Sequence, residues 1–289
     1  MPTESMRASP DPAQPALPAC EALRARFGLL LGEESGCAPV ERGGAFGCDC
    51  AACARWHDFV AGRLSDAGED GTHPRYEVYT AEHVHALAAY LLQRRAAYGI
   101  SDRAMRVLEV GAGAGRLAHH LRAELLHLGG AAAVGLVATD SDERGLRAAS
   151  PAAALVRVAR CDAELLRTEQ PDVVLACWMP FGLDWTAVFR ACASVREYVL
   201  IGEADDGICG RPWETWGCRG RGEDRSSSDG DDDAESIAAP HRAAPHEADG
   251  FVRVDLPELS RWQLCRTDER WRSRGASRTV AFRRRTVSV

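Results

Sequence analysis

The chain has 289 residues, of which 46% are hydrophobic, and a net charge of −7. That is enough to bury a sizeable core as one domain with appendages. All 35 basic residues are arginine and they are spread along the length, so no broad cationic surface is expected, which argues against tight non-specific nucleic-acid binding. The eleven cysteines are scattered, and the first twenty residues lack an apolar core of the secretory type. We therefore expect reduced thiols, a cytoplasmic or nuclear location and, with no run near the ~18 apolar residues a span needs, no membrane partner.

Residues 1–19, rich in Pro, Ala and Ser, are expected to be disordered. A short amphipathic helix follows over 21–31. The segment from 20 to 73 then becomes rich in cysteine, with Cys48, Cys50 and Cys53 in a CxCxxC spacing. Three thiolates in one small loop can hold three corners of a tetrahedral zinc, and Cys37 or His57 could supply the fourth. The string Phe46 to Cys53 resembles the FxCxCxxC element that follows the core of SET-domain lysine methyltransferases, but no such core precedes it. A polar linker over 65–73 separates this segment from the rest.

From 74 onward the pattern is that of one α/β domain. Thr80 is placed to cap a helix over 81–97, which carries apolar residues at 84, 87, 88, 91 and 92. The next segment is an apolar strand running through Leu108-Glu109-Val110 into Gly111-Ala112-Gly113-Ala114-Gly115, with a helix over 117–126 behind it. Glycine at alternate positions lets a ligand approach the backbone, and the N–H groups at a helix start favour an electron-rich ligand group. A P-loop is excluded, because the chain contains no lysine. A second strand over 131–139 ends at Asp140, where a carboxylate can accept both hydroxyls of a ribose. Asp142 is the alternative partner.

Together these segments, ExGxGxG above all, resemble motif I of the class I S-adenosylmethionine-dependent methyltransferases. The resemblance spans about residues 74–289. It implies a doubly wound α/β sheet of seven strands, mostly parallel, with a C-terminal antiparallel hairpin. It also implies S-adenosylmethionine held by Glu109, Gly111, Gly113, Gly115 and Asp140. Asp162, after a third strand over 155–159, would face the adenine. Cys177, at the end of a fourth strand over 172–177, and Tyr79, before the 81–97 helix, would line the cofactor and acceptor cleft. Tyr76, Thr80 and His83 are further candidates by position.

The acceptor-side segment reads Cys177-Trp178-Met179-Pro180-Phe181-Gly182, whereas amino-methylating relatives often carry [DNS]PP[YFW]. Trp178 stands where the polar residue would be and Met179 replaces the first proline, which points away from nucleobase N-methylation. A helix over 184–193 and a fifth strand over 197–202 follow. Asp184, Glu203 and His83 are the candidate bases for an acceptor that must lose a proton. Trp213 and Trp216 sit beside the expected cleft, more as a packing lid than as a stacking surface. Residues 219–250, with a Ser/Asp/Gly run, are expected to be a disordered insertion. The closing hairpin is expected from 262–266 and 278–284, the latter an edge strand kept soluble by arginine.

Methyl transfer to a small molecule or a protein side chain is the expected activity. The alternative is a catalytically inactive methyltransferase fold acting as a zinc-bearing interaction protein. A nicotinamide oxidoreductase is disfavoured by Arg116 at the third-glycine position of the dinucleotide fingerprint and by the terminal hairpin.

Overall fold

The computed structural model describes residues 17–29, 37, 40–42, 45–48, 50–64, 74–146, 151–218, 243–268 and 275–285. The expectations for residues 1–16, 65–73 and 219–242 lie outside them. Among the described residues no helix is long and apolar enough to cross a membrane.

The N-terminal unit comprises α1 (Cys20–Phe27), the three-residue strands β1 (Val40–Arg42) and β2 (Ala45–Gly47), which pair antiparallel, and α2 (Ala51–Val60). Leu23 and Phe27 of α1 pack on Trp56 and Phe59 of α2, with the Phe27 ring centroid 5.2 and 4.9 Å from theirs, in a small core completed by Val78 and Leu264. Gly28 closes α1 in the left-handed region, three residues before the end expected from periodicity.

The main domain starts with β3 (Glu77–Val78) and α3 (Ala81–Ala97), whose first turn is capped by Thr80 accepting the His83 N–H at 3.2 Å. Then come β4 (Met105–Val110), α4 (Arg116–His127), β5 (Val134–Asp140), a 3₁₀ turn over Pro151–Leu155 and β6 (Val156–Val158). α5 (Ala163–Glu169), β7 (Val173–Cys177), α6 (Thr186–Ala191) and β8 (Glu197–Glu203) complete the parallel part. A single π-helical turn over Pro212–Trp216, α7 (Pro245–Ala248), β9 (Phe251–Asp255), α8 (Pro257–Ser260), β10 (Leu264–Cys265) and β11 (Ser277–Arg284) close the chain.

Seven strands form one sheet in the order β6-β5-β4-β7-β8-β11-β9. All pairs are parallel except those of β11, which runs antiparallel to both β8 and β9. This mixed α/β sheet with a C-terminal antiparallel hairpin is the expected fold class. The strands alternate strictly between two cores. Val107, Val173, Leu175, Val199 and Ile201 face α3, α4 and α8. Leu108, Val174, Ala176, Tyr198 and Leu200 face α5 and α6.

Two expectations are corrected here. The partner of β11 is β9, over 251–255, and not 262–266; Leu264 and Cys265 pair instead with Val78 and Glu77 in a separate two-stranded ribbon. Both segments alternate apolar and polar residues, so periodicity could not choose between them. Order also resumes earlier than Phe251: α7 is helical, and Ala244 and His246 are buried.

One buried charge ties α3 to the sheet. Glu197, fully buried at the start of β8, accepts from Arg94 Nε at 2.8 Å, from Tyr98 Oη at 2.6 Å and from Tyr90 Oη. Removing one side of such a network strands the other in a dry site, which costs far more than the network adds in net stability. Glu197→Ala is expected to lower the unfolding free energy by about 3–5 kcal/mol, read as a shift of the urea midpoint by circular dichroism.

Candidate functional site

A cleft of about 660 Å³ opens at the carboxyl ends of β4, β5 and β7. Its floor is the bend after β4. Gly111, Gly113 and Gly115 all have positive φ, at 67°, 52° and 75°. Their reasons differ, and only partly match the expectation of ligand approach. A Cβ on Gly115 would lie 2.5 Å from Val156 Cγ2 and 2.7 Å from the Ala152 carbonyl, so this glycine permits close packing of the β5–β6 connection. At Gly111 a Cβ would lie 2.8 Å from the ring of Trp185, which covers that end of the bend. Of the three glycines, only Gly113 meets ordinary contact, with Leu146 at 3.5 Å, and it lines the cleft together with Gly111, Ala112 and Ala114.

Asp140 is held against this bend. Its Oδ2 accepts the Gly113 N–H at 2.8 Å and its Oδ1 the Asp142 N–H at 2.7 Å, while the Ala112 N–H donates to the Thr139 carbonyl at 3.0 Å. The carboxylate thus sits at the cleft with one lone pair on each oxygen still available. Asp142, itself at positive φ, completes the turn after β5.

Glu109 is close in sequence but lies behind the bend, 1% exposed and outside the cleft wall. It accepts from the Ala118 N–H in the first turn of α4, and its Oε2 has no partner. Burial, only partly offset by the Arg122 guanidinium and that N–H, pushes its carboxyl up to about 8.

Opposite the glycine bend stands an aromatic wall. Tyr79 Oη lies 3.6 Å from Cys177 Sγ, and burial pushes both groups far above their ordinary range, so both are neutral. Trp178 leaves β7 with φ 58°, an outlier for a bulky residue. Its indole Nε1 donates to Glu77 Oε2 at 2.7 Å, and its ring lies 5.7 Å from that of Tyr76. The guanidinium of Arg266 covers the other face of this corner, 4.9 Å from the Tyr76 centroid. At the mouth, Phe181 (73% exposed), Leu183 and Ile208 present apolar side chains to solvent.

The candidate bases are not here. His83 is fully buried, with Nε2 3.4 Å from Thr279 Oγ1, and burial depresses it to about 4, so it is a neutral core histidine. Asp184 Oδ1 accepts from the Thr186 N–H and hydroxyl and from the Thr215 hydroxyl, tying the π-helical turn to α6. Glu203 accepts from the Ile208 N–H at 3.1 Å and from the Thr267 hydroxyl. Asp162 caps α5 through the Leu165 N–H at 2.9 Å; its neighbour Cys161, rather than Asp162 itself, lines the cleft. Trp216 is packing, as expected, and is buried with its indole N–H on the Cys209 carbonyl.

Glu77 is the functional-region carboxyl that periodicity missed. It is 4% exposed, lines the cleft, and accepts from Trp178, from the Gln263 amide at 3.0 Å and from the Ser277 hydroxyl at 2.8 Å. Burial outweighs these donors and lifts it to about 8. The available signal was its place between Tyr76 and Tyr79. Thr80, by contrast, serves α3 and is fully buried.

Outside the cleft lining, Cys37, Cys48, Cys50 and Cys53 bring their four sulfur atoms within 4.8 Å of one another. Cys37 joins the CxCxxC sulfurs in this group, whereas His57, one turn further along α2, is not part of it. A broader depression of about 880 Å³ on the α3–α4–α8 surface, beside His85, Glu124 and Trp262, offers no strand-end backbone and is not the site.

No protein-family model and no curated protein matches the chain. Among solved structures it is similar to the DszA carbon methyltransferase, at 14% identity over 96% of this chain and 86% of that one, with a TM-score of 0.39. It is also similar to the human methyltransferase 10 domain containing protein (10% identity, 92% and 94% covered, TM-score 0.36). A third is the 23S rRNA methyltransferase ErmE (15%, 68% and 68%, TM-score 0.33). These likenesses do not bear on substrate; the seven-stranded, mostly parallel sheet with its antiparallel β11 is the architecture that the resemblance to class I methyltransferases implies.

The raised carboxyl of Glu109 has a pH signature. Between its ordinary 4.5 and about 8 the folded chain keeps a proton that the unfolded chain has released, so this contribution is complete below 4.5 and lost as pH rises to about 8. Glu77 acts with the same sign. Melting temperature is expected to fall between about pH 6 and pH 8.5, and to fall less steeply in Glu109→Gln. A variant slope identical to wild type would remove Glu109 as a cause.

Proposed function

We propose that the chain is a methyltransferase that binds S-adenosylmethionine across Gly111–Gly115 and Asp140. The observation that carries this reading is the Asp140 carboxylate, fixed 2.8 Å from the Gly113 amide at the strand-end crevice and facing an open cleft. Asp140 would accept the ribose hydroxyls with its remaining lone pairs. The cofactor supplies an electrophilic methyl group on a sulfonium.

The chain's own contribution is binding, alignment and exclusion of water. The ring faces of Tyr76, Tyr79 and Trp178 suit a cationic sulfur. Phe181, Leu183 and Ile208 give the mouth an apolar character that suits an acceptor with an apolar or aromatic body. Asp184, Glu203 and His83 lie outside the cleft lining and are occupied by the fold, so none of them acts as the base. Glu77 is a positioning residue: it accepts from three side chains and holds Trp178 in place. An acceptor that is already nucleophilic fits such a site. The non-catalytic alternative has less support, since Trp185 covers Gly111 but the cleft stays open across Gly113 and Ala114.

Calorimetry tests the reading. Heat is expected with S-adenosylmethionine and S-adenosylhomocysteine and none with NAD. Asp140→Ala is expected to weaken binding at least about tenfold, since a charge-assisted hydrogen bond contributes about 1.5–3 kcal/mol. Its circular dichroism should stay that of wild type. No heat with either sulfur compound, or equal affinity in the variant, would end the proposal.

A further inference from the structure

The N-terminal unit has too little core to hold itself. Two short helices, α1 and α2, share one aromatic cluster that is completed only by Val78 of β3 and Leu264 of β10, and β1 and β2 have three residues each. Units of this size rely on a cross-link or a metal. The cysteines stand where such a link is needed: Cys48 and Cys50 lie immediately before α2, Cys53 lies in its first turn, and Cys37 belongs to the chain before β1.

We propose that Cys37, Cys48, Cys50 and Cys53 form a closed tetrathiolate zinc site that locks this unit onto the roof of the cleft. None of the four cysteines is joined in a disulfide, and the Cys37 and Cys50 sulfurs are 3.4 Å apart. Zinc bonds of about 2.3 Å in a tetrahedron hold sulfurs about 3.8 Å apart, so a group spanning at most 4.8 Å accepts the ion with small shifts. Backbone N–H groups already point at the ligand sulfurs: Cys50 N–H at Cys48 Sγ and Cys53 N–H at Cys50 Sγ, both at 3.5 Å. Such bonds orient thiolate ligands and offset their charge. Four protein sulfurs leave no open position, which makes the site structural rather than catalytic.

From the site, α2 reaches the cleft through Arg75. Its Nη1 donates to the Phe59 carbonyl at 2.5 Å, its N–H to the Val60 carbonyl at 2.7 Å, and its guanidinium stacks 4.4 Å from the Phe59 ring. Arg75 itself lines the cleft, two residues before Glu77. The proposal stands independently of methyl transfer.

The test is metal analysis of the full chain purified without chelator, followed by hydrogen exchange. We expect about one zinc per chain in wild type and in His57→Ala, and less than about 0.2 in Cys37→Ser and in Cys53→Ser. Should the cysteine variants not fold, wild type treated with a zinc chelator serves instead: deuterium uptake should rise at least about threefold over 51–64 and 74–78 while β4, β5 and β7 stay protected. A metal-free wild type that takes up no added zinc, or one holding iron in its place, overturns the zinc assignment. Zinc removal without any change over 74–78 overturns the coupling to the cleft.

Discussion

β4 is flanked by parallel strands on both sides, and the connections to them lie on opposite faces of the sheet. From β4 the chain moves outward through α4 and the 3₁₀ turn on one face, then returns through α5 on the other to reach β7. No crossover helix can therefore cover the carboxyl end of β4, and a crevice is obligatory there. The remainder of the molecule accommodates that gap. Gly115 lets the 3₁₀ turn close in from one side and Trp185 packs against Gly111 from the other, while Gly113 and the carboxylate of Asp140, hydrogen-bonded to each other, line the opening between them.

Legibility followed the range of the interactions. α3, β4, β7 and β8 were visible within a residue or two, because continuous apolar runs, glycine stops and a threonine cap are local signals. Asp140 was visible for the same reason: a strand end is a local feature, and the carboxylate needs nothing more distant than the preceding bend. The hairpin partner was not. Phe251–Asp255 and the stretch from Trp262 to Arg266 have similar alternation, and the choice between them depends on β11, whose register places Val280 opposite Asp255. The rejected stretch is taken up by β3, a two-residue strand too short to have any periodicity.

The acids show the same limit from the side of chemistry. Position after a strand ranks a carboxylate as a candidate but is blind to what that carboxylate already holds. Glu203 and Asp184 are at such positions and are committed to the Ile208 amide and to Thr186 and Thr215, respectively. His83, chosen for its place at the start of α3, points into the core formed with β11. Beyond its tyrosine neighbours Glu77 carries no local signal, because its place in the site depends on Gln263 and Ser277, 186 and 200 residues away along the chain.

Glu77 also accounts for the departure at Cys177-Trp178-Met179. A left-handed tryptophan costs on the order of 1–3 kcal/mol and persists only where its surroundings demand it. Here the indole N–H is held by a buried carboxyl, which is itself held by groups from β11 and from the segment before β10. The strand exit thus exchanges a hydrogen-bonding side chain for an aromatic plate with a fixed edge. Such a wall offers an acceptor shape and dryness but few polar contacts. Selectivity at this cleft then has to come from fit between Tyr76, Trp178 and the apolar mouth, where one methylene more or less in the acceptor changes affinity by only about 1–3 kcal/mol.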